Sequence, residues 1–196
     1  MLVRLVGVVF LLAGLGFGLG GPYLLGQRAR MVETAAELGA ESLIDELVVA
    51  HGRIEPSLQA QGGPLVLGVV QEEREDADGN TSWKTQRSFG SPARMETATG
   101  LEVLVSVPDA HPQGSYRTEK LGAGSRKLGF SGGDEWLVVG RVLQLRPYEL
   151  EAVEHFGGDR AGYAAHMTVF TWGARLVGLV FLGFGIVMVR IQMAKN

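Results

Sequence analysis

A run of 21 residues without a charge, Leu5 to Leu25, constrains this chain more than any other feature. At 1.5 Å rise per residue it is about 30 Å long as a helix, the thickness of a bilayer's hydrocarbon core. Arg4 in front of it also suits a cleaved signal peptide. The run is long for that role and no Ala-x-Ala site follows it, so residues 1–27 read as an N-terminal transmembrane helix. A second apolar stretch, Leu176 to Val189, is bracketed by Arg175 and Arg190 and preceded by the aromatic-bearing segment Met167 to Ala174. Taken over 167–191, with Arg175 snorkelling or paired, it is long enough to form a C-terminal transmembrane helix, followed by a basic tail at 192–196.

The two segments share an order of residues. Arg4-Leu5-Val6-Gly7-Val8-Val9-Phe10-Leu11 recurs as Arg175-Leu176-Val177-Gly178-Leu179-Val180-Phe181-Leu182, which fits either a common hydrophobic vocabulary or a pseudo-symmetric helix pair. Gly14/Gly18 and Gly16/Gly20 each have the GxxxG spacing that lets two backbones approach closely. With Arg175 and Gly178 they are the helix-packing candidates, against the other helix, a copy of the chain or a membrane-protein partner.

Charge sets the expected orientation. All 21 acidic residues lie between Glu33 and Asp159, and positions 26–166 hold 14 basic residues against them, a net −7. Arg4, Arg190 and Lys195 beside the bilayer place the termini in the cytoplasm and the central domain outside it, against the opposing pull of Arg28 and Arg30. The same acidic balance argues against a nucleic-acid surface, which needs clustered cations. The absence of cysteine excludes a disulfide framework, a thiolate zinc or iron–sulfur site and a cysteine nucleophile.

Between the anchors, residues 28–50 read as an amphipathic stalk helix, with Val32, Ala35, Ala36, Leu43, Ile44 and Leu47 apolar and Gly39 the place for a break. The texture then changes to short strand-like runs over a β-rich domain at 51–147. These runs are Val48 to Ile54, Leu65 to Glu75, Thr81 to Phe89, Ala93 to Thr97, Leu101 to Val107, Tyr116 to Leu121 and Glu135 to Leu145. Asp76-Ala77-Asp78-Gly79-Asn80 marks a hairpin loop between two of them. Glu149 to Phe156 reads as part of a short helical connector at 148–166. The expected fold is an α+β membrane protein, two transmembrane helices flanking a small, mostly antiparallel β-barrel or sandwich.

Candidate chemistry is sparse. Asp76, Asp78 and Asn80 imitate the first ligands of a calcium loop, but glycine comes at the fourth place and Arg87 occupies the twelfth, so the segment reads as a plain turn. His51, His111, His155 and His166 fall singly, without metal-ligand spacing, and read as surface or interfacial histidines. Gly122 to Lys127 lacks both phosphate-loop and dinucleotide fingerprints and reads as a flexible loop. No catalytic set, cofactor or metal is implied. Trp83, Phe89, Tyr116 and Trp136 are the candidates for an aromatic binding patch, with burial in the core as their plain alternative.

Several pieces nonetheless follow a familiar order. Gly52-Arg53-Ile54, Gly63-Pro64-Leu65-Val66, the charged strand Gln71 to Glu75, Trp83, Phe89, Thr97 to Val105 and Gly133 to Arg141 together resemble the GIDE or BAM ("beside a membrane") domain. That domain lies between two transmembrane helices in RING ubiquitin ligases of organelle outer membranes and in RING-less prokaryotic relatives. Ligase activity is not implied here, because the RING is a cysteine/histidine zinc site and this chain has no cysteine. The resemblance implies a membrane-adjacent, non-catalytic binding, sensing or scaffold domain. An accessory subunit of a larger membrane complex is the alternative. In such a barrel Gly100 would supply a tight turn and Gly140 a bulge or bend.

Overall fold

The computed structural model describes residues 2–56 and 64–193, so Gly63 and Lys195 lie outside the described residues. The chain divides into a helical unit, Met1–Glu33 with Tyr163–Asn196, and a β unit, Thr34–Gly162.

The helical unit holds two helices long and apolar enough to cross a membrane. The first runs as α1 (Leu2–Leu15), a π-helical turn (Gly16–Gly20) and α2 (Gly21–Thr34). The wide turn closes with the Gly21 amide donating to the Gly16 carbonyl, where the sequence Gly-Phe-Gly-Leu-Gly leaves the backbone room to relax. The second is α3 (Arg160–Met193).

These helices pack antiparallel through glycine. A β-carbon built on Gly178 would lie 2.5 Å from the Gly18 Cα, and one on Gly14 2.6 Å from Leu182 Cγ. Reciprocally, Gly185 meets Leu11 Cγ at 2.7 Å and Gly7 meets Val189 at 3.0 Å. In the shared residue order Gly7 corresponds to Gly178, Leu11 to Leu182 and Gly14 to Gly185, so the contacts occur in equivalent pairs. The recurrence seen in the sequence is therefore a pseudo-twofold helix pair. Phe10 and Phe17 lie 5.5 and 5.8 Å from Phe181, ring centroid to centroid, and line the same seam.

The β unit combines a five-stranded mixed barrel with a four-stranded antiparallel sheet. The barrel order is β2 (Leu47–Ile54), β5 (Ala93–Thr97), β6 (Glu102–Ser106), β10 (Tyr148–Gly157) and β9 (Glu135–Leu145), closed by pairing of β9 with β2. Only β6 and β10 run parallel within it. The two-residue β1 (Ala36–Glu37) lies parallel beside β2. Alternate residues point inward, as the two-residue strand period requires, and Val48, Ala50, Met95, Val103, Val105, Val138, Val142 and Leu150 form the core.

Gly100 and Gly140 are the glycines expected at a turn and at a bend. Gly100 sits at φ +78° in the turn between β5 and β6, its amide donating to the Thr97 carbonyl. Gly140 lies at a bulge. It pairs with Ala152 while its neighbour Val139 pairs with Glu154, leaving Val153 as the extra residue on β10. A side chain at Gly140 would approach the Glu151 carbonyl to 2.9 Å, so glycine admits the bent partner strand.

The second sheet is ordered β4 (Thr81–Phe89), β3 (Leu65–Glu75), β8 (Ser125–Ser131) and β7 (Arg117–Gly122). Leu67, Val69, Leu128 and Phe130 share its buried face, and Leu67 and Phe130 join the barrel core.

Three expectations are corrected. The stalk helix stops at Thr34 rather than reaching residue 50. Beyond β1 the chain turns through Gly39 and Ser42, whose hydroxyl accepts from the Gly39 amide, and enters β2 at Leu47. The connector at 148–166 is not a short helix: residues 148–157 are the barrel strand β10, and α3 begins at Arg160. Gly122 to Lys127 is not a flexible loop, because only Ala123 and Gly124 form the turn and Arg126 and Lys127 stand on β8.

Candidate binding surface

The four-stranded sheet carries three of the four candidate aromatics, but the register sets Trp83, opposite Glu73, and Phe89, opposite Gly68, on its two different faces. Trp83 and Phe89 lie on β4, and Tyr116 immediately precedes β7. Trp83 is 38% and Tyr116 45% exposed. Trp136, by contrast, is fully buried on β9 and is corrected from a surface candidate to a core residue. Its ring packs 6.3 Å from Phe130 and 6.1 Å from His155, centroid to centroid.

Cross-strand register builds a fixed cation on this sheet. Gln71 on β3 stands opposite Thr85 on β4 and Arg126 on β8. Arg126 Nε and Nη2 both donate to Gln71 Oε1, at 3.0 and 2.9 Å, while the guanidinium carbon lies 3.9 Å from the Trp83 ring centroid. Gln71 is itself buried, so the guanidinium is held by an immobile acceptor and an aromatic platform. Arg126 makes no ion pair among the described residues, which leaves its outer N–H groups for an anionic or carbonyl group. Lys127 Nζ lies 5.7 Å from the Phe89 centroid. Both cations are visible in the sequence, but the neighbouring glycines there suggest a loop; the signal for a strand is the alternation of Arg126, Leu128 and Phe130.

The other candidate motifs resolve into structure. Asp76 accepts from the Asn80 and Asp78 amides at 2.8 and 3.0 Å, closing the β3–β4 hairpin. The Asn80 backbone bond leads in holding its carboxyl below the ordinary carboxylate range. His155 is buried rather than superficial. Its Nε2 lies 2.9 Å from the Asp109 carbonyl, which selects the tautomer carrying its proton there. Burial pushes its pKa below the ordinary histidine range, with the Asp109 bond opposing. Among the described residues no three His, Asp or Glu side chains are grouped to hold a metal.

In the helical unit, Gly14, Gly18 and Gly178 are brought together, whereas a β-carbon on Gly16 or Gly20 would meet nothing within 4 Å. Arg175 is exposed on α3, with its guanidinium 5.3 Å from the Trp172 ring.

No family model, curated protein or solved structure matches the chain.

Proposed function

We propose that this chain is a membrane-anchored, non-catalytic binding or scaffold protein that presents its β unit at one membrane face. The observation that carries the reading is the direct join between helices and β unit. Helix α2 ends at Thr34 and β1 starts at Ala36, while β10 ends at Gly157 and α3 starts at Arg160. Arg160 clips these two crossings, donating to the Ala35 carbonyl at 3.3 Å and pairing with Glu37 at 3.1 Å. A domain tied at both ends without linkers is held within reach of the bilayer its anchors occupy, which suits capture of ligands at the membrane. The likeness to "beside a membrane" domains agrees with this reading and rests on the strand motifs alone.

A second reading, an accessory subunit of a larger membrane complex, is favoured by the small-residue positions Gly16, Gly20, Gly173 and Gly183, where nothing lies within 4 Å. Native affinity purification of the tagged chain from its own membranes, with sizing and mass spectrometry, tests both. A lone chain or homo-oligomer in the carbonate-resistant membrane fraction supports the self-contained binding protein. A stoichiometric set of membrane proteins supports the subunit, and release by alkaline carbonate refutes anchoring.

A further inference from the structure

The four-stranded sheet has an outward face, opposite the one bearing Leu67, Val69, Leu128 and Phe130. The register places Arg74, Lys84, Arg87, Arg117 and Lys127 on it, against only two acids, Glu72 and Glu119. This is an excess of positive charge in a segment whose net charge is −7 over positions 26–166 (14 basic against 21 acidic residues). Arg117 is paired with Asp134 at 3.0 Å and Lys127 lies over Phe89, but Arg74, Lys84 and Arg87 make no ion pair among the described residues. Beneath the cations, Val70 is 8% exposed and Phe89 half-buried, so charged heads stand on an apolar floor.

Protection of sheet edges accounts for part of this pattern. Edge strands commonly carry lysine and arginine to block pairing with other chains, and β4 and β7 are the edges here. Lys127, however, stands on the interior strand β8, paired with Val70 on one side and Glu119 on the other, where there is no edge to guard; Arg74 lies past Glu72, the last β3 residue paired with β8. A basic sheet face on an acidic domain fits a polyanionic partner.

Resting on the membrane-anchored reading above, we propose that this face docks on an anionic phospholipid surface through headgroup phosphates. A bilayer is the polyanion nearest to hand. The β unit joins both apolar helices directly, and each lysine or arginine brought to such a surface strengthens binding about fivefold. Docking in this way would fix the orientation of the β unit against a membrane, its own or an apposed one.

The full chain in nanodiscs of neutral phosphatidylcholine, mixed with vesicles of phosphatidylcholine alone or with added phosphatidylglycerol, gives the test by flotation. Wild type floats with the phosphatidylglycerol vesicles and is released by salt. The variant R74Q/K84Q/R87Q binds about a hundredfold more weakly, whereas R53Q/R94Q/R141Q, altering exposed barrel-strand cations, binds as wild type. Near-UV circular dichroism confirms that each variant is folded. Equal binding to both vesicles, or a triple variant that binds like wild type, overturns the proposal. So does competition by a polyglutamate peptide without any vesicle preference, which assigns the face to an acidic protein instead. A carbonate-resistant chain that shows no lipid preference sinks lipid docking alone; carbonate release sinks the anchoring on which it rests.

Discussion

Alanine at Gly178 should separate the two long helices. Its β-carbon would lie 2.5 Å from both the Cα and the amide nitrogen of Gly18 and 2.9 Å from the Gly14 carbonyl oxygen. Ordinary carbon–carbon contact is about 3.5–4 Å, so the backbones must part by about 1 Å, enough to forfeit a quarter to a half of each contact along the seam. Overpacking of this kind costs about 1–3 kcal/mol, offset by at most about 1 kcal/mol from alanine's better helix propensity. With the full offset the net loss is about 0–2 kcal/mol, and the difference from a Gly→Ala change that meets no contact is about 1–3 kcal/mol. Gly16→Ala is the matched control: nothing lies within 4 Å, so it should be neutral or stabilising by up to about 1 kcal/mol. The chain has no cysteine, so dyes at L5C and I191C, both on exposed helix positions, report apposition of the helices by energy transfer during an SDS titration in mixed micelles. If the two glycine variants unfold within about 0.5 kcal/mol of each other, the packing argument is wrong.

Three further outcomes are expected. His155 titrates lower when folded than unfolded, so its contribution to stability is complete above about pH 6.5 and declines as pH falls toward the folded value. Urea unfolding across that range should show an acid loss in wild type that His155→Gln lacks; identical profiles would refute the assignment. Arg126→Met strips two donors from the buried Gln71 oxygen and should cost about 1–3 kcal/mol. Trp83→Leu, removing only the stacking, should cost about 0.5–1 kcal/mol, and denaturation curves in the reverse order would contradict the geometry. Finally, the flanking charges call for an extracytoplasmic central domain, which requires S82C on exposed β4 to react with a membrane-impermeant maleimide in intact cells; labelling only after permeabilisation would place the domain inside.

What the sequence conveyed followed from the range of the forces involved. The first apolar helix was legible because it is written as one unbroken run and the second because Arg175 alone interrupts it, and strands β3, β4, β5 and β9 because short apolar or alternating runs are bounded by turn residues. Strand β10 was not, because Glu149, Leu150, Glu151, Ala152 and Glu154 are good helix formers, and the pairing that overrides them comes from β9 and, in parallel, from the distant β6. The stalk failed similarly. Val32, Ala35 and Ala36 keep helical spacing, yet Leu38 donates from its amide to the Val49 carbonyl, a bond no local pattern announces. The binding surface was half legible: Trp83 and Phe89 stood out as aromatics, but that the cations lie beside them became visible only once β8 was paired with β3.

The reciprocal glycine contacts have a bearing on how the chain is inserted. Gly14 against Leu182 and Gly185 against Leu11 are the same contact met from either end, and Gly7 against Val189 and Gly178 against Gly18 fall at equivalent positions with different partners. Packing along the seam is internal to the hairpin, so its energy is the same whichever end meets which side of a bilayer. Direction must then come from what lies outside the seam, with Arg28 and Arg30 at one end set against the basic residues flanking the termini at the other. The direction of the hairpin is then a matter for the charges at those flanks, and the helix seam takes no part in it.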